Sequence, residues 1–228
     1  MSWTLDEALA NPPAARLVSL RFGEVKRFEA HIAELSHLRE LEIIAIGLRK
    51  VPDAFRALES LVRIDLSDNV LTALPEWIGE LSSLTELTAA SNRITRIPDG
   101  IYELRALENL DLADNAIETV SDRIGELAEL RRLAFSGNRL TQLPAAVGRL
   151  AHLEYLYLNQ NLLTELPPEI GDLQKLSELQ LAYNRLTELP SKLSRLLALE
   201  WLTLRDNPLL PGQRERIKAA LPSCTITG

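Results

Sequence analysis

A chain of 228 residues that is 46% hydrophobic and 25% charged is long enough to bury one substantial core and too apolar to stay disordered. Its formal net charge of −7 excludes a broad phosphate-binding surface, which needs clustered Lys and Arg, so no nucleic-acid partner is expected. The single cysteine, Cys224, excludes an intrachain disulfide framework and a four-cysteine zinc site, and it fits a reducing compartment.

The chain opens on "MSWTLDEALANPP", which has neither the basic region nor the long apolar stretch of a secretion signal. Its longest strongly apolar uncharged run, "IIAIGL" at 43–48, is far shorter than the 18 or so residues of a membrane span. A soluble, cytoplasmic protein is expected, with no membrane partner. "TLDE" reads as a capping box from Thr4 to Glu7 that opens a short helix, which Pro12 ends. Residues 12–34 read as a degenerate repeat in which Val18, Leu20, Val25, Phe28 and Ile32 keep the apolar positions of the units that follow. With the helix, this segment forms an amino-terminal cap over 1–34.

From Leu35 the chain repeats every 23 residues: Asn69, Asn92, Asn115, Asn138, Asn161, Asn184 and Asn207 are evenly spaced. Eight units fill 35–218 without insertions, beginning at Leu35, Leu58, Leu81, Leu104, Leu127, Leu150, Leu173 and Leu196. In "LEYLYL" the period is two, so Leu156 and Leu158 face one way while Tyr155 and Tyr157 face the other, as in a strand. A constant period stacks successive strands in parallel, roughly 4.8 Å apart. Leu163 and Leu166 then cross back over the core, and Pro167 holds an extended or 3₁₀ return on the convex side. The Asn column reads as structural, each carboxamide bonding the backbone of a turn that has no sheet partner.

A carboxy-terminal cap is expected over 208–228, where "GQRERIKAAL" sets Ile217, Ala220 and Leu221 at helical spacing and Cys224 and Ile226 pack inward. Some units depart from the pattern. Ile46 replaces the Asn, Val120-Ser121 replaces Leu-Pro, and Ala89 and Phe135 replace a strand leucine.

The unit L-x-x-L-x-x-L-x-L-x-x-N-x-L-x-x-L-P-x-x-I-G-x, seen in "LQKLSELQLAYNRLTELPSKLSR" at 173–195, resembles the leucine-rich-repeat family. The resemblance implies an α/β repeat fold: a single right-handed solenoid, horseshoe-shaped, with a parallel concave sheet and a mostly 3₁₀ or extended convex side. It implies non-catalytic protein recognition by the concave face. The Leu-Pro and Ile-Gly variant is similar to intracellular, Ras-group-related members, which implies small-GTPase signalling. The flanks look similar to the ends of bacterial members. A scaffold or self-association module is the alternative.

No motif for catalysis stands out: the chain has no Gly-rich phosphate loop, nucleophile elbow, His-E-x-x-His helix or paired cysteines. His37 and His152 take equivalent positions five units apart, roughly 24 Å, and read as surface residues. "DLSDN" at 65–69 and "DLADN" at 111–115 spread their carboxylates over roughly 10 Å, an acidic face rather than a cage. Neither an enzyme, a cofactor nor a metal site is expected.

Fixing the register places an acidic group on the amino-terminal half of the concave face, through Glu40, Glu42, Asp65, Glu86 and Asp111, interrupted by Arg63. Tyr155, Tyr157, Tyr183 and Trp201 lie on the carboxy-terminal half with Arg132 and Gln180, and the small residues Ala90, Ala113, Ala134, Ser136 and Gly137 leave a shallow trough between. Tyr and Trp concentrate at binding hot spots, so these positions are the candidate partner-binding site. The expected partner is a protein with an apolar protrusion and a basic patch, bound by a monomer.

Overall fold

The computed structural model describes residues 2–227. Each repeat supplies one three-residue strand: β1 (Leu17–Ser19), β2 (Glu40–Glu42), β3 (Arg63–Asp65), β4 (Glu86–Thr88), β5 (Asn109–Asp111), β6 (Arg132–Ala134), β7 (Tyr155–Tyr157), β8 (Glu178–Gln180) and β9 (Trp201–Thr203). A further strand, β10 (Thr225–Thr227), completes a ten-stranded parallel sheet whose spatial order is the chain order. Such crossovers coil right-handedly, giving the expected horseshoe. The pairing keeps the sequence period, from Leu17 opposite Glu40 to Glu178 opposite Trp201. The middle residue of each repeat strand, from Val18 through Leu156 to Leu202, is buried, and its neighbours face the concave side.

The chain returns through short 3₁₀ turns such as Glu76–Glu80, Ala145–Arg149 and Pro168–Asp172. Proline precedes most of them because its fixed φ suits the extended entry; Pro144 has φ −69° and Pro167 φ −63°. Each turn drops one apolar side chain into the core, as Ile78, Val147 and Ile170 do. Full burial of such a side chain stabilises by about 1.5–3 kcal/mol, but only because the next repeat covers it. Adjacent turns stack so closely that a Cβ on Gly148 would lie 2.5 Å from the Glu169 carbonyl oxygen, which explains a glycine there.

The Asn column is structural, as expected. Asn161 Oδ1 accepts the Leu140 N–H at 2.9 Å, while its Nδ2 donates to the carbonyls of Phe135 (2.8 Å), Leu158 (3.2 Å) and Asn159 (3.2 Å). Every ladder member from Asn69 to Asn207 joins its own turn to the preceding repeat in this way. Where Ile46 interrupts the column, its N–H still donates to Asn69 Oδ1 at 3.2 Å. One residue before each ladder position the backbone is left-handed, with φ between 52° and 58° at Ala45, Asp68, Ser91, Asp114, Gln160, Tyr183 and Asp206 and 68° at Gly137.

Both ends are capped. The helix α1 (Leu5–Ala10) carries the predicted capping box, with the Thr4 N–H on Glu7 Oε2 at 2.7 Å and the Glu7 N–H on Thr4 Oγ1 at 3.3 Å. Trp3, which the sequence left unassigned, bridges the open edge of β1: its N–H donates to Leu17 O and its carbonyl accepts from Ser19 N. In the cap repeat the convex segment is a true helix, α2 (Val25–Ala30), whose Phe28 meets Phe55 edge-on at 5.3 Å. At the other end α3 (Gln213–Ala220) buries Ile217, and Cys224 is buried and Ile226 partly so, as expected. The expected lid also forms β10, at a step of 24 residues, since Thr225 pairs with Trp201. His37, expected on the surface, is half-buried, and its Nε2 lies 2.5 Å from the Pro12 carbonyl oxygen.

Candidate functional site

The concave face carries two outward rows, one from the first and one from the third residue of each strand. All the predicted positions except Tyr183 fall on these rows. At the amino-terminal half Arg63 stands among three carboxylates, 3.8 Å from Glu40, 3.9 Å from Asp65 and 3.5 Å from Glu86. Other acceptors there are engaged locally. Asp65 Oδ1 takes the Ser67 N–H and Asp111 Oδ1 the Ala113 N–H, both at 3.0 Å, and Glu42 accepts from the Ser19 hydroxyl. The two "DL-x-DN" segments therefore build turns. Among the described residues no group of His, Cys, Asp or Glu is placed to hold a metal ion.

The carboxy-terminal half is a connected polar and aromatic array across β6–β9. The Arg132 guanidinium lies 4.7 Å over the Tyr157 ring, within cation–π range, and the Tyr155 and Tyr157 rings are 6.4 Å apart. Tyr157 Oη donates to Glu178 Oε2 at 3.2 Å, and Gln180 Nε2 donates to Glu178 Oε1 at 2.6 Å. Gln180 Oε1 accepts from Asn159 Nδ2, and Asn159 Oδ1 accepts the Ala182 N–H at 2.8 Å and the Thr203 hydroxyl at 3.3 Å. Burial pushes the Tyr157 phenol above its usual pKa, with Arg132 pulling it down and Glu178 adding to the rise.

Tyr157 is consequently half-buried, whereas Tyr155 is 37%, Tyr183 44% and Trp201 53% exposed. The four rings do not make one continuous patch. Trp201 is separated from Tyr155 by Glu178 in the register, and Tyr183 sits on the left-handed turn beyond β8, with the Arg205 guanidinium 5.7 Å from its ring. The expected trough is also filled in part, since Ala134, beside Tyr157 in the register, is only 3% exposed. Shallow surface hollows lie off this face, one bounded by Asp172, Gln174, Ser194, Arg195 and Leu197 and another by residues that include Ser121 and Pro144.

Residues 21–144 match the leucine-rich repeat region family, and residues 151–209 match the leucine rich repeat family. The chain belongs to the leucine-rich-repeat family. Among solved structures it is similar to the LRR ectodomain of the plant membrane receptor kinase GASSHO1/SCHENGEN3 from Arabidopsis thaliana, in complex with CASPARIAN STRIP INTEGRITY FACTOR 2. That match has 31% identity and a TM-score of 0.77, and covers 92% of this chain and 26% of the ectodomain. An internalin, inlF of Listeria monocytogenes, matches at 22% identity over 92% of this chain and 60% of its own, with a TM-score of 0.78. A TDR receptor matches at 24% identity over 99% of this chain and 41% of its own, with a TM-score of 0.79. The last two matches show the fold. This leucine-rich-repeat chain thus spans about a quarter of the plant ectodomain and 60% of the internalin. A comparison with curated proteins found no match.

Two features of this leucine-rich-repeat face escaped the sequence reading. Glu178, between Tyr155 and Trp201 in the register, is the acceptor on which Tyr157 and Gln180 converge. Asn159 links β7 to β8 and β9. A polar residue two positions before a ladder Asn was the available signal, and only side-chain geometry shows what it reaches. No helix among the described residues is long and apolar enough to cross a membrane.

Proposed function

We propose that this leucine-rich-repeat chain is a non-catalytic recognition module that binds a protein partner on its concave face, centred on β7–β9. The supporting observation is the fixed Tyr157, held between Arg132 and Glu178, with Tyr155 exposed beside it and Trp201 exposed two strands away. A ring already immobilised, as Tyr157 is, loses little rotamer freedom on binding, so its contact area converts more fully into affinity. The carboxylates of Glu40 and Glu86 lie 3.8 and 3.5 Å from Arg63 and stay partly exposed, where ion pairs are weak, so a basic patch on the partner can compete for them and gain on-rate. The plant ectodomain supports the reading as a leucine-rich-repeat domain solved in complex with a ligand. The bound form is a monomer of this chain, and a buried, unpaired Cys224 accords with a reducing compartment.

The test is affinity capture from lysate, comparing the unaltered chain with a Tyr155→Ala, Tyr157→Ala, Trp201→Ala triple variant of equal thermal stability. A protein retained only by the unaltered chain, and released by added salt, is the expected result. Retention of the same set by both baits would sink the proposal.

A further inference from the structure

Glu178 lies between two exposed rings. The register runs Tyr155, Glu178, Trp201 on β7, β8 and β9, and adjacent strands are roughly 4.8 Å apart, so the two aromatic positions flank Glu178 on one outward row across about 10 Å of backbone. Both oxygens are aimed by neighbours, Oε2 by the Tyr157 hydroxyl at 3.2 Å and Oε1 by Gln180 Nε2 at 2.6 Å. A carboxylate offers about four acceptor sites, so these bonds leave about half of its capacity free. Arg63 neutralises several carboxylates at the other end of the face, but no Lys or Arg among the described residues forms an ion pair with Glu178. Arg132, two strands away, is held over the Tyr157 ring, which stands between it and Glu178.

We infer that Tyr155, Glu178 and Trp201 form a seat for an arginine side chain of the partner, an inference that rests on the concave-face reading and gives it a chemistry. A guanidinium is planar, weakly hydrated and able to stack on aromatic faces while its N–H groups reach a carboxylate. Two rings flanking one oriented acid present those features together. A lysine ammonium meets only part of them, because it is a compact and strongly hydrated point charge. The seat explains why the polar array orients Glu178 both from β7 and from its own strand.

The test uses the full ¹⁵N-labelled chain titrated with N-acetyl-arginine N-methylamide, read at the Trp201 indole N–H and at Tyr155. A saturable shift at both is expected, absent with the neutral citrulline analogue and at least tenfold weaker in Glu178→Gln, whereas Glu188→Gln, at an exposed carboxylate off the strand rows, leaves it unchanged. Equal loss in Glu188→Gln would trace the effect to the general negative field and overturn the seat. So would an undiminished shift in Glu178→Gln, or equal affinity for the lysine analogue. The broader reading is judged apart: a captured partner lost in the Tyr155, Tyr157, Trp201 triple variant but retained by Glu178→Gln removes the arginine seat and leaves the concave face standing.

Discussion

The hydroxyl of buried Tyr102 accepts the backbone N–H of Ser121 at 3.4 Å, in the repeat where serine stands in place of proline. A proline at 121 has no N–H to give. Ser121 already has φ −70°, so Ser121→Pro fits the backbone and gains about 0.4–1 kcal/mol by restricting the unfolded chain. Against that, it strips the donor from a buried oxygen, at a cost of about 1 kcal/mol or more. Ser121→Pro is therefore expected to be neutral or destabilising alone, and stabilising in a Tyr102→Phe background. A double-mutant cycle by urea unfolding measures the coupling, expected at about 0.5–1 kcal/mol. Zero coupling would make the contact incidental.

The Asn ladder is expected to dominate the polar contribution to stability. Asn161→Ala leaves one backbone N–H and several carbonyls without their partner inside the core, and should cost about 3–4 kcal/mol. Asn92, which is only partly buried, should cost about half as much when changed to Ala. Chemical denaturation of the two variants gives the comparison, and equal losses would contradict a burial-driven ladder.

Left-handed backbone recurs in every repeat, which inverts the usual effect of glycine. Ala45 is exposed at φ 56°, and relief of the left-handed penalty outweighs the added freedom of the unfolded chain. Ala45→Gly should stabilise by about 0.5–1 kcal/mol. Gly137→Ala, at φ 68° and crowded against the Asp114 side chain, should destabilise by about 1–2 kcal/mol. Thermal melts of the pair should shift in opposite directions; a shared direction would remove the argument.

Acid should weaken the convex side at Glu126. Hydrogen bonds from Arg123, and then from Arg105, hold the Glu126 carboxyl below the usual carboxylate range. A depressed folded pKa means that the unfolded chain binds the proton more readily. The contribution is thus complete above about pH 4.3, the unfolded value, and is lost as pH falls through the lower folded one. Unfolding midpoints compared at pH 7 and pH 3 should fall less in Glu126→Gln than in the unaltered chain. An identical fall in both would exclude Glu126 as a contributor.

The repeat period made most of the architecture legible. It placed Tyr155, Glu178 and Trp201 on one row because a constant step leaves the register no freedom, and it marked the ladder because a buried carboxamide has few other uses. The capping box at Thr4 and Glu7 was readable because both partners lie within one turn. What escaped lies where the period fails or where rotamers decide. The strand β10 follows at a step of 24 without the leucine template, and the bridge from Trp3 to Val18 involves a residue outside any repeat. The placement of Arg132 over Tyr157 and the convergence on Glu178 depend on how long side chains lean across neighbouring strands, which no spacing in the sequence records.

The uninterrupted order of the sheet also makes the concave face a ruler with discrete graduations. Asp65 on β3 and Trp201 on β9 are six strands apart, roughly 29 Å, and that separation can change only in whole steps of about 4.8 Å. Duplicating or deleting one 23-residue unit between them would leave each end chemically intact while moving it one graduation along. Evolution, or an engineer, can in this way tune the length of the partner accommodated without redesigning either contact.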